Sequence, residues 1–265
     1  MSSRDATNVV LGAGSGMGAA VASRLGGDRR LLLADRDVAA AERVAATLSG
    51  DVEVLACDLT DQPAVDALVA ATGALGSLVL TAGLSPTMAV GARVIDVNLV
   101  GTHRVVTAFE RILQPGSAAV CFASMAAHLV PADPAVDTIL DHPEAPDLLD
   151  RLEELGLTGH SGIAYAVSKR GVIRLVERQA AAWGAKGARL VSMSPGVIDT
   201  PMGRAEDAAE PAMAEMVRTS ALAREGTADE LAAVAAFLVS DQASFITGTD
   251  VLVDGGVVAH THHPS

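Results

Sequence analysis

Short runs of apolar residues alternate with helical patterns along most of this chain. "TNVVL" (7–11), "RRLLLAD" (29–35), "VEVLACD" (52–58), "SLVLTAG" (77–83), "SAAVCFAS" (117–124), "ARLVSMSP" (188–195) and "TDVLVDGG" (249–256) read as strands. Between them, apolar positions recur at helical spacing over 16–26, 38–48, 62–72, about 89–113, 162–183 and 227–239. The strands lack the apolar–polar alternation of a half-exposed sheet, so both of its faces are to be covered. Such strand–helix repetition predicts an α/β fold, a single-domain, doubly wound parallel sheet of about seven strands. No repeat, low-complexity linker or domain boundary divides 1–265.

Two segments break the rhythm, at about 126–161 and about 197–226. Both follow strand ends, and ligands of such sheets bind beyond the carboxyl ends of the strands. The first reads as two short helices. Asp133 caps one, with Pro134 at its first helical position. The other covers 147–155 and stops at Gly156. Leu148, Leu152 and Leu155 form its apolar stripe, and Asp147, Asp150, Glu153 and Glu154 its solvated face, without metal-ligand spacing. A segment this apolar is expected to cover a substrate cleft or form a subunit contact. In the second stretch, Met202, Met213 and Met216 fit either an adaptable apolar pocket or helix core positions. The tail with His260, His262 and His263 reads as a floppy polar terminus rather than a zinc site.

Composition narrows the classes. Of 265 residues half are hydrophobic, enough for one sizeable core. A net charge of −13 argues against nucleic-acid binding, which needs a basic surface. Cys57 and Cys121 make no disulfide framework and read as buried thiols of a reducing cytoplasm. No apolar run reaches the ~18 residues of a membrane span. Arg4 followed by "VVLGAGSGMGAAVAS" imitates a secretion signal, but Asp5 and four glycines favour a strand–turn–helix reading.

That turn is the first candidate for chemistry. Gly12, Gly16 and Gly18, with Gly14 among them, follow the first strand and open the first helix. Glycines permit close backbone approach to a pyrophosphate, and the helix start supplies N–H donors. Asp35 ends the second strand, 23 residues after Gly12. A carboxylate there accepts from ribose hydroxyls and repels a 2′-phosphate, which favours NAD over NADP. Arg36 and Arg29 pull the other way. Asp58 ends the third strand, where it reaches an adenine or caps the next helix.

The chain's one tyrosine, Tyr165, precedes Lys169 by four residues, on one helical face. A phenol with an ordinary pKa near 10 needs such a positive neighbour for proton transfer near neutrality. Lys186 has no comparable setting.

Together these motifs resemble the short-chain dehydrogenase/reductase family over nearly the whole chain. The glycine loop, "TAG" (81–83), "VNLVG" (97–101) with Asn98, Ser124, the Tyr165–Lys169 pair, "PGVIDT" (195–200) and "VDGG" (253–256) occur in the family's order. The resemblance implies a Rossmann-type fold in which Asn98, Ser124, Tyr165 and Lys169 are catalytic. Tyr165 would exchange the proton, Lys169 would assist it and bind the nicotinamide ribose, Ser124 would hydrogen-bond the substrate oxygen, and Asn98 would hold a water relay. It implies cofactor contacts from Gly12, Ser15, Gly16, Met17 and Gly18, and from Asp35, Arg36, Asp58 and Leu59. Ala82, Gly83, Tyr165, Lys169, Pro195, Gly196, Ile198 and Thr200 would complete that set. Leu11 departs from the family's threonine, and Leu80 and Thr81 replace two asparagines.

The largest departure is that Ser124 and Tyr165 lie 41 positions apart, much more than is usual in the family. That insertion and "LVLTAGLSP" resemble the bacterial 3α-hydroxysteroid dehydrogenase/carbonyl reductase group. The expectation is a cytoplasmic, NAD-preferring oxidoreductase for a secondary alcohol or ketone, alicyclic or steroid-like, without a metal, acting as a homodimer or homotetramer. The alternatives are an NADP(H)-dependent carbonyl reductase and a catalytically idle NAD(P)-binding regulator. A dehalogenase-like relative without nicotinamide is disfavoured by the glycine loop and Lys169.

Overall fold

Side chains alternate across each strand, so an all-apolar strand feeds two cores at once. In a computed structural model describing residues 6–204 and 211–263, this is what the central strands do, while the edge strand Gly50–Ala56 is exposed or half-exposed along its length. Val9 and Leu11 of β1 (Thr7–Leu11) join a core with α3 (Gln62–Thr72), α5 (Thr102–Phe109) and α9 (Ser161–Gly184). Val10 faces the other way, against α1 (Gly16–Leu25) and the helix Ala228–Val239. The seven-stranded sheet is parallel throughout. It adds β2 (Gly27–Asp35), β3 (Gly50–Ala56), β4 (Leu75–Leu80), β5 (Ala118–Phe122), β6 (Arg189–Pro195) and the strand Asp250–Val253, in the order β3-β2-β1-β4-β5-β6 and then that last strand. Chain order reverses between β1 and β4, and this switch point opens a crevice at their carboxyl ends.

The expected 89–113 helix is composite. It starts as α4 (Gly91–Ile95), widens into a π-helical turn at Asp96–Gly101, and continues as α5. Asn98 lies in the widened turn, a kind of irregularity that concentrates at functional sites.

The insertion contains α6 (Ala126–Leu129), α7 (Pro134–Leu140) and α8 (Leu148–Glu154). Asp133 caps α7, accepting the Ala135 N–H at 2.8 Å. Leu148 and Leu152 are buried with Ile139 and Leu140 against Ile95, Leu99, Ala164 and Val167. Leu155 does not continue the stripe: it is 48% exposed, because α8 ends one residue earlier and Leu157 turns inward instead. The insertion is therefore packed on α4 and α9.

Two further expectations change. Asp254 accepts N–H bonds from Gly256 and Val258, the chain turns through Gly255 and Gly256 at positive φ, and a helix forms over Val257–His262. The tail through His263 is thus ordered on the fold, not floppy. In the second irregular stretch, Ile198–Asp199 pairs with Gly226–Thr227, and Pro211–Thr219 is helical. Met213 and Met216 pack against Met125 and Val197, so they are helix core positions. Residues 205–210 of this stretch lie outside the described residues, as do Arg4 and Asp5.

Candidate active site and nucleotide cleft

The crevice at the switch point is a cavity of about 410 Å³. Its floor is the glycine loop. A Cβ on Gly18 would land on the Gly12 carbonyl oxygen, and one on Gly12 would sit 2.5 Å from the Ala82 nitrogen. Glycine at both positions is what lets α1 and β4 close on the turn. Thr81, standing where the family's asparagine would, bonds this closure by directing its hydroxyl at the carbonyl oxygens of Leu11 and Gly12, both at 3.1 Å. Gly16 has φ +53, and a Cβ there would have Thr200, across the cavity, as its nearest outside neighbour at 3.5 Å. Ser15 makes no side-chain cap on α1, so the first-turn N–H groups remain directed at the cleft.

At the far rim Asp35 is half-buried. One carboxylate oxygen accepts the Gly14 N–H at 2.8 Å, the other the Asp37 N–H at 2.9 Å. Each carboxylate oxygen has a second acceptor direction. Arg36 and Arg43 line the same cavity. Arg29 does not: it sits by Gly76, six residues back along β2, about 20 Å away at strand rise. Asp58 also lines the cavity and does not cap α3. Its Oδ1 accepts from the Thr60 N–H and hydroxyl, at 2.8 and 2.7 Å. Burial opposes its charge, but these bonds and the guanidinium groups of Arg93 and Arg36 hold it below the usual carboxylate range. A cradle of glycine backbone, open helix N–H groups and a rim carboxylate fits a dinucleotide.

Of the expected cofactor residues, Gly12, Ser15, Gly16, Met17, Gly18, Asp35, Arg36, Asp58, Leu59, Ala82, Gly83 and Thr200 line this cavity. Pro195, Gly196, Ile198, Tyr165 and Lys169 stand outside its lining, the first three at and just beyond the carboxyl end of β6 and the last two on α9. Gly83 joins the two groups, since a Cβ there would be 3.0 Å from Asn98 Oδ1 and 3.4 Å from Lys169 Nζ.

Lys169 is 6% exposed. Its ammonium donates to the Phe122 carbonyl at 2.8 Å and lies 5.8 Å from the Tyr165 ring centre. Half-buried Tyr165 and buried Lys169 share a face one turn apart on α9, and Ser124 lies just beyond β5. Asn98 is fully buried, with its side chain engaged: Oδ1 accepts the Leu84 N–H at 2.8 Å, while Nδ2 donates to the Leu84 carbonyl and to Ser168 Oγ. The Ser168 hydroxyl donates to the Tyr165 carbonyl at 2.7 Å. Asn98 thus fastens the segment after β4 to the tyrosine's helix. Sequence reasoning missed Ser168, whose only signal is its place before Lys169, and missed Met88 and Arg93 in the cavity wall; Met202, one of the three methionines offered for a pocket, does line it.

Both thiols are buried, and burial pushes Cys121 and Cys57 up to about 12, so neither is a nucleophile near neutrality. Among the described residues no cluster could hold a metal ion, and no helix is long and apolar enough to cross a membrane.

Comparison with known proteins agrees with this geometry. A family model described as short chain dehydrogenase matches residues 6–133, and one described as enoyl-(acyl carrier protein) reductase matches 153–258. The gap between them holds α7 and most of α8. The short-chain dehydrogenase/reductase bsc3 of Alternaria brassicicola is 33% identical over 96% of both chains. The 3-alpha-hydroxysteroid dehydrogenase/carbonyl reductase of Comamonas testosteroni is 34% identical over 79% of this chain and 84% of its own. The crystal structure of the 3-alpha-hydroxysteroid dehydrogenase from Pseudomonas sp. B-0831, complexed with NADH, superposes with a TM-score of 0.77. It is 29% identical and is matched over 98% of this chain and 100% of its own.

Proposed function

The chain belongs to the short-chain dehydrogenase/reductase family, oxidoreductases of hydroxyl and carbonyl groups, and we propose that it interconverts a secondary alcohol and a ketone using NAD by preference. The observation that carries the reading is the Tyr165–Lys169 pair on α9, with Lys169 bonded to the Phe122 carbonyl two residues before Ser124, beside a glycine-floored cleft with Asp35 at its rim.

Bound nicotinamide supplies or accepts the hydride. The chain's residues manage the proton. Tyr165 gives its phenolic proton to the substrate oxygen in reduction and takes it back in oxidation. The Lys169 charge favours the phenolate that this leaves. Ser124 donates a hydrogen bond to the substrate oxygen as negative charge grows there. Asn98 holds the segment after β4 in place near Lys169, and a water held at this turn would return protons to the lysine. Pro195, Gly196, Ile198 and Thr200 would seat the nicotinamide, while Asp35 would accept from the adenosine ribose.

The finer reading is an alicyclic or steroid-like substrate, supported by two methionines beside the cleft. Met88 and Met202 flank the cavity, both partly exposed. Arg36 and Arg43 favour a second reading, NADP(H)-dependent carbonyl reduction. A screen of cyclic and steroidal alcohols with NAD, followed by absorbance, tests the activity, and paired NADH and NADPH titrations test the cofactor. Tighter NADPH binding would overturn the NAD preference; absence of turnover across the panel would leave an idle nucleotide binder. We place the protein in the cytoplasm, and as a homodimer or homotetramer; the fully exposed Phe245, five residues before the sheet's last strand, supports a subunit contact.

A further inference from the structure

Ser124 is followed by α6, a helix of four residues, too short to hold together without tertiary anchors. The helix engages the serine directly, because Ser124 Oγ accepts the Ala126 N–H at 3.2 Å. With that acceptor position filled, the serine's own proton is left to donate elsewhere. Where α6 sits therefore sets where the Ser124 hydroxyl points.

One polar side chain ties α6 to the sheet. His128 Nε2 lies 2.9 Å from Asp250 Oδ2 and 3.2 Å from Ser194 Oγ. Asp250 opens the last strand and stands opposite Ser192 of β6 in register. Its side chain is only 8% exposed. Its other oxygen, and Ser192 Oγ, are buried with no hydrogen-bond partner among the described residues. A buried carboxylate left half-satisfied is unfavourable for folding alone, and an apolar residue would suit a strand interior better. Met125, just before α6, and Leu129, on it, make apolar contacts with Val197, Val257, Met213 and Met216. Such contacts are non-directional; the Met125 N–H, donating to the Pro195 carbonyl at 2.8 Å, fixes the start of the helix, and the His128–Asp250 bond fixes its far end.

We propose that His128 and Asp250 are positioning residues for Ser124, holding α6 so that the serine hydroxyl stays aimed at the substrate oxygen. This rests on the reading of Ser124 given above. The test compares Asp250→Ala, Asp250→Asn and His128→Gln with the unaltered chain. It uses amide hydrogen exchange at 125–129, kcat and KM on a responsive alcohol, and NADH binding by fluorescence.

In Asp250→Ala, exchange at 125–129 should quicken, and kcat should fall about tenfold or more, as for a reacting group displaced by about 1 Å. NADH binding and the alcohol KM should stay within about threefold, because the loss falls on the transition state. Asp250→Asn still accepts from His128 and should restore both exchange and kcat; His128→Gln, which keeps a donor, should lie between. Unchanged exchange and kcat in Asp250→Ala would overturn the proposal, as would a loss that Asp250→Asn shares in full. Exchange needs no substrate, so failure of the tether shows there, whereas failure of the Ser124 reading shows as an unaltered chain that turns over no alcohol.

Discussion

Arg170, the residue after Lys169, grips Asp137 of the insertion with both prongs of its guanidinium, Nε to Oδ1 at 2.6 Å and Nη2 to Oδ2 at 2.7 Å. One turn later Arg174 grips Asp141 in the same way, at 2.8 and 2.7 Å. Arg174 Nη1 also reaches Asp137 at 3.2 Å. Both helices repeat every four residues, so α7 is registered against α9 like a toothed edge. The side chains are largely buried, at 21% and 15% exposure for Arg170 and Asp137. Bidentate pairs so placed are stronger than surface ion pairs. Arg170→Ala should cost about 1–2 kcal/mol, lowering Tm by roughly 2–6 °C, since each kcal/mol moves a domain of this size by a few degrees. Calorimetry checks it; an unchanged Tm would mean the pair is ornamental.

The same pair predicts acid sensitivity. The Arg170 hydrogen bonds hold the Asp137 carboxyl below its ordinary 3.8, outweighing burial, with help from the charges of Arg170 and Arg174. A carboxyl depressed in the folded state contributes stability above its unfolded pKa and loses it as pH falls through the folded one. Glu230, bonded by Arg224 and the Thr227 N–H, follows the same sign, from 4.5 down to about 2. Tm should therefore be flat in these contributions above about pH 5 and fall toward pH 2. Asp137→Asn should flatten part of that limb. An identical acid limb in the variant would refute the assignment.

The fold was legible because its strands are apolar on both faces: Val9, Val10 and Leu11 admit few arrangements other than a covered parallel strand. Asp133–Pro134 and Gly156 mark the insertion's helix ends for chemical reasons, and the structure keeps them. What the sequence hid were partners far along the chain. Asp137 looks like any helix acid until Arg170 is folded beside it. Arg29 looks like a phosphate ligand only because sequence nearness to Asp35 ignores the length of β2. The terminal helix hides behind Gly255 and Gly256, which punctuate a sequence like an ending; Asp254 turns them into a cap.

Asp35 should set cofactor choice. Asp35→Asn keeps an acceptor oxygen but loses the charge that repels a 2′-phosphate and strengthens hydrogen bonds to ribose hydroxyls. Loss of a charge-assisted bond is worth about 1.5–3 kcal/mol, so NADH binding should weaken at least tenfold. Arg36 and Arg43 remain, and NADPH binding should strengthen. Fluorescence titrations with both cofactors decide it; parallel weakening of the two would show that Asp35 acts only by bracing Gly14.

Gly18 should tolerate no side chain. In Gly18→Ala the new methyl meets the Gly12 carbonyl and Thr81 Oγ1, which are backbone and a bonded hydroxyl with nowhere to retreat. Overpacking of this kind costs about 1–3 kcal/mol, and it would also lift α1 off the turn and weaken NADH binding. Gly159→Ala, with nothing within 4 Å of its Cβ position, is the control and should stay within about 0.5 kcal/mol. Equal stability of the two variants would contradict the close approach.

Tyr165→Phe separates proton transfer from cofactor binding. The change removes one oxygen and leaves the ring that packs against the core. Folding and the Lys169 bond to the Phe122 carbonyl should therefore persist, and NADH should bind within about threefold of the unaltered chain. Turnover should fall by at least about 10²–10⁴, the usual contribution of a positioned acid–base group. The alternative proton carriers nearby are poor ones. Cys121 is buried, with its thiol pushed up to about 12, and Ser124 carries an aliphatic hydroxyl, which ionises far less readily than a phenol. Steady-state rates with a responsive alcohol, taken with NADH titrations on the same preparation, give both quantities. Retained turnover would remove Tyr165 from the chemistry; lost NADH binding would assign it to the cofactor instead.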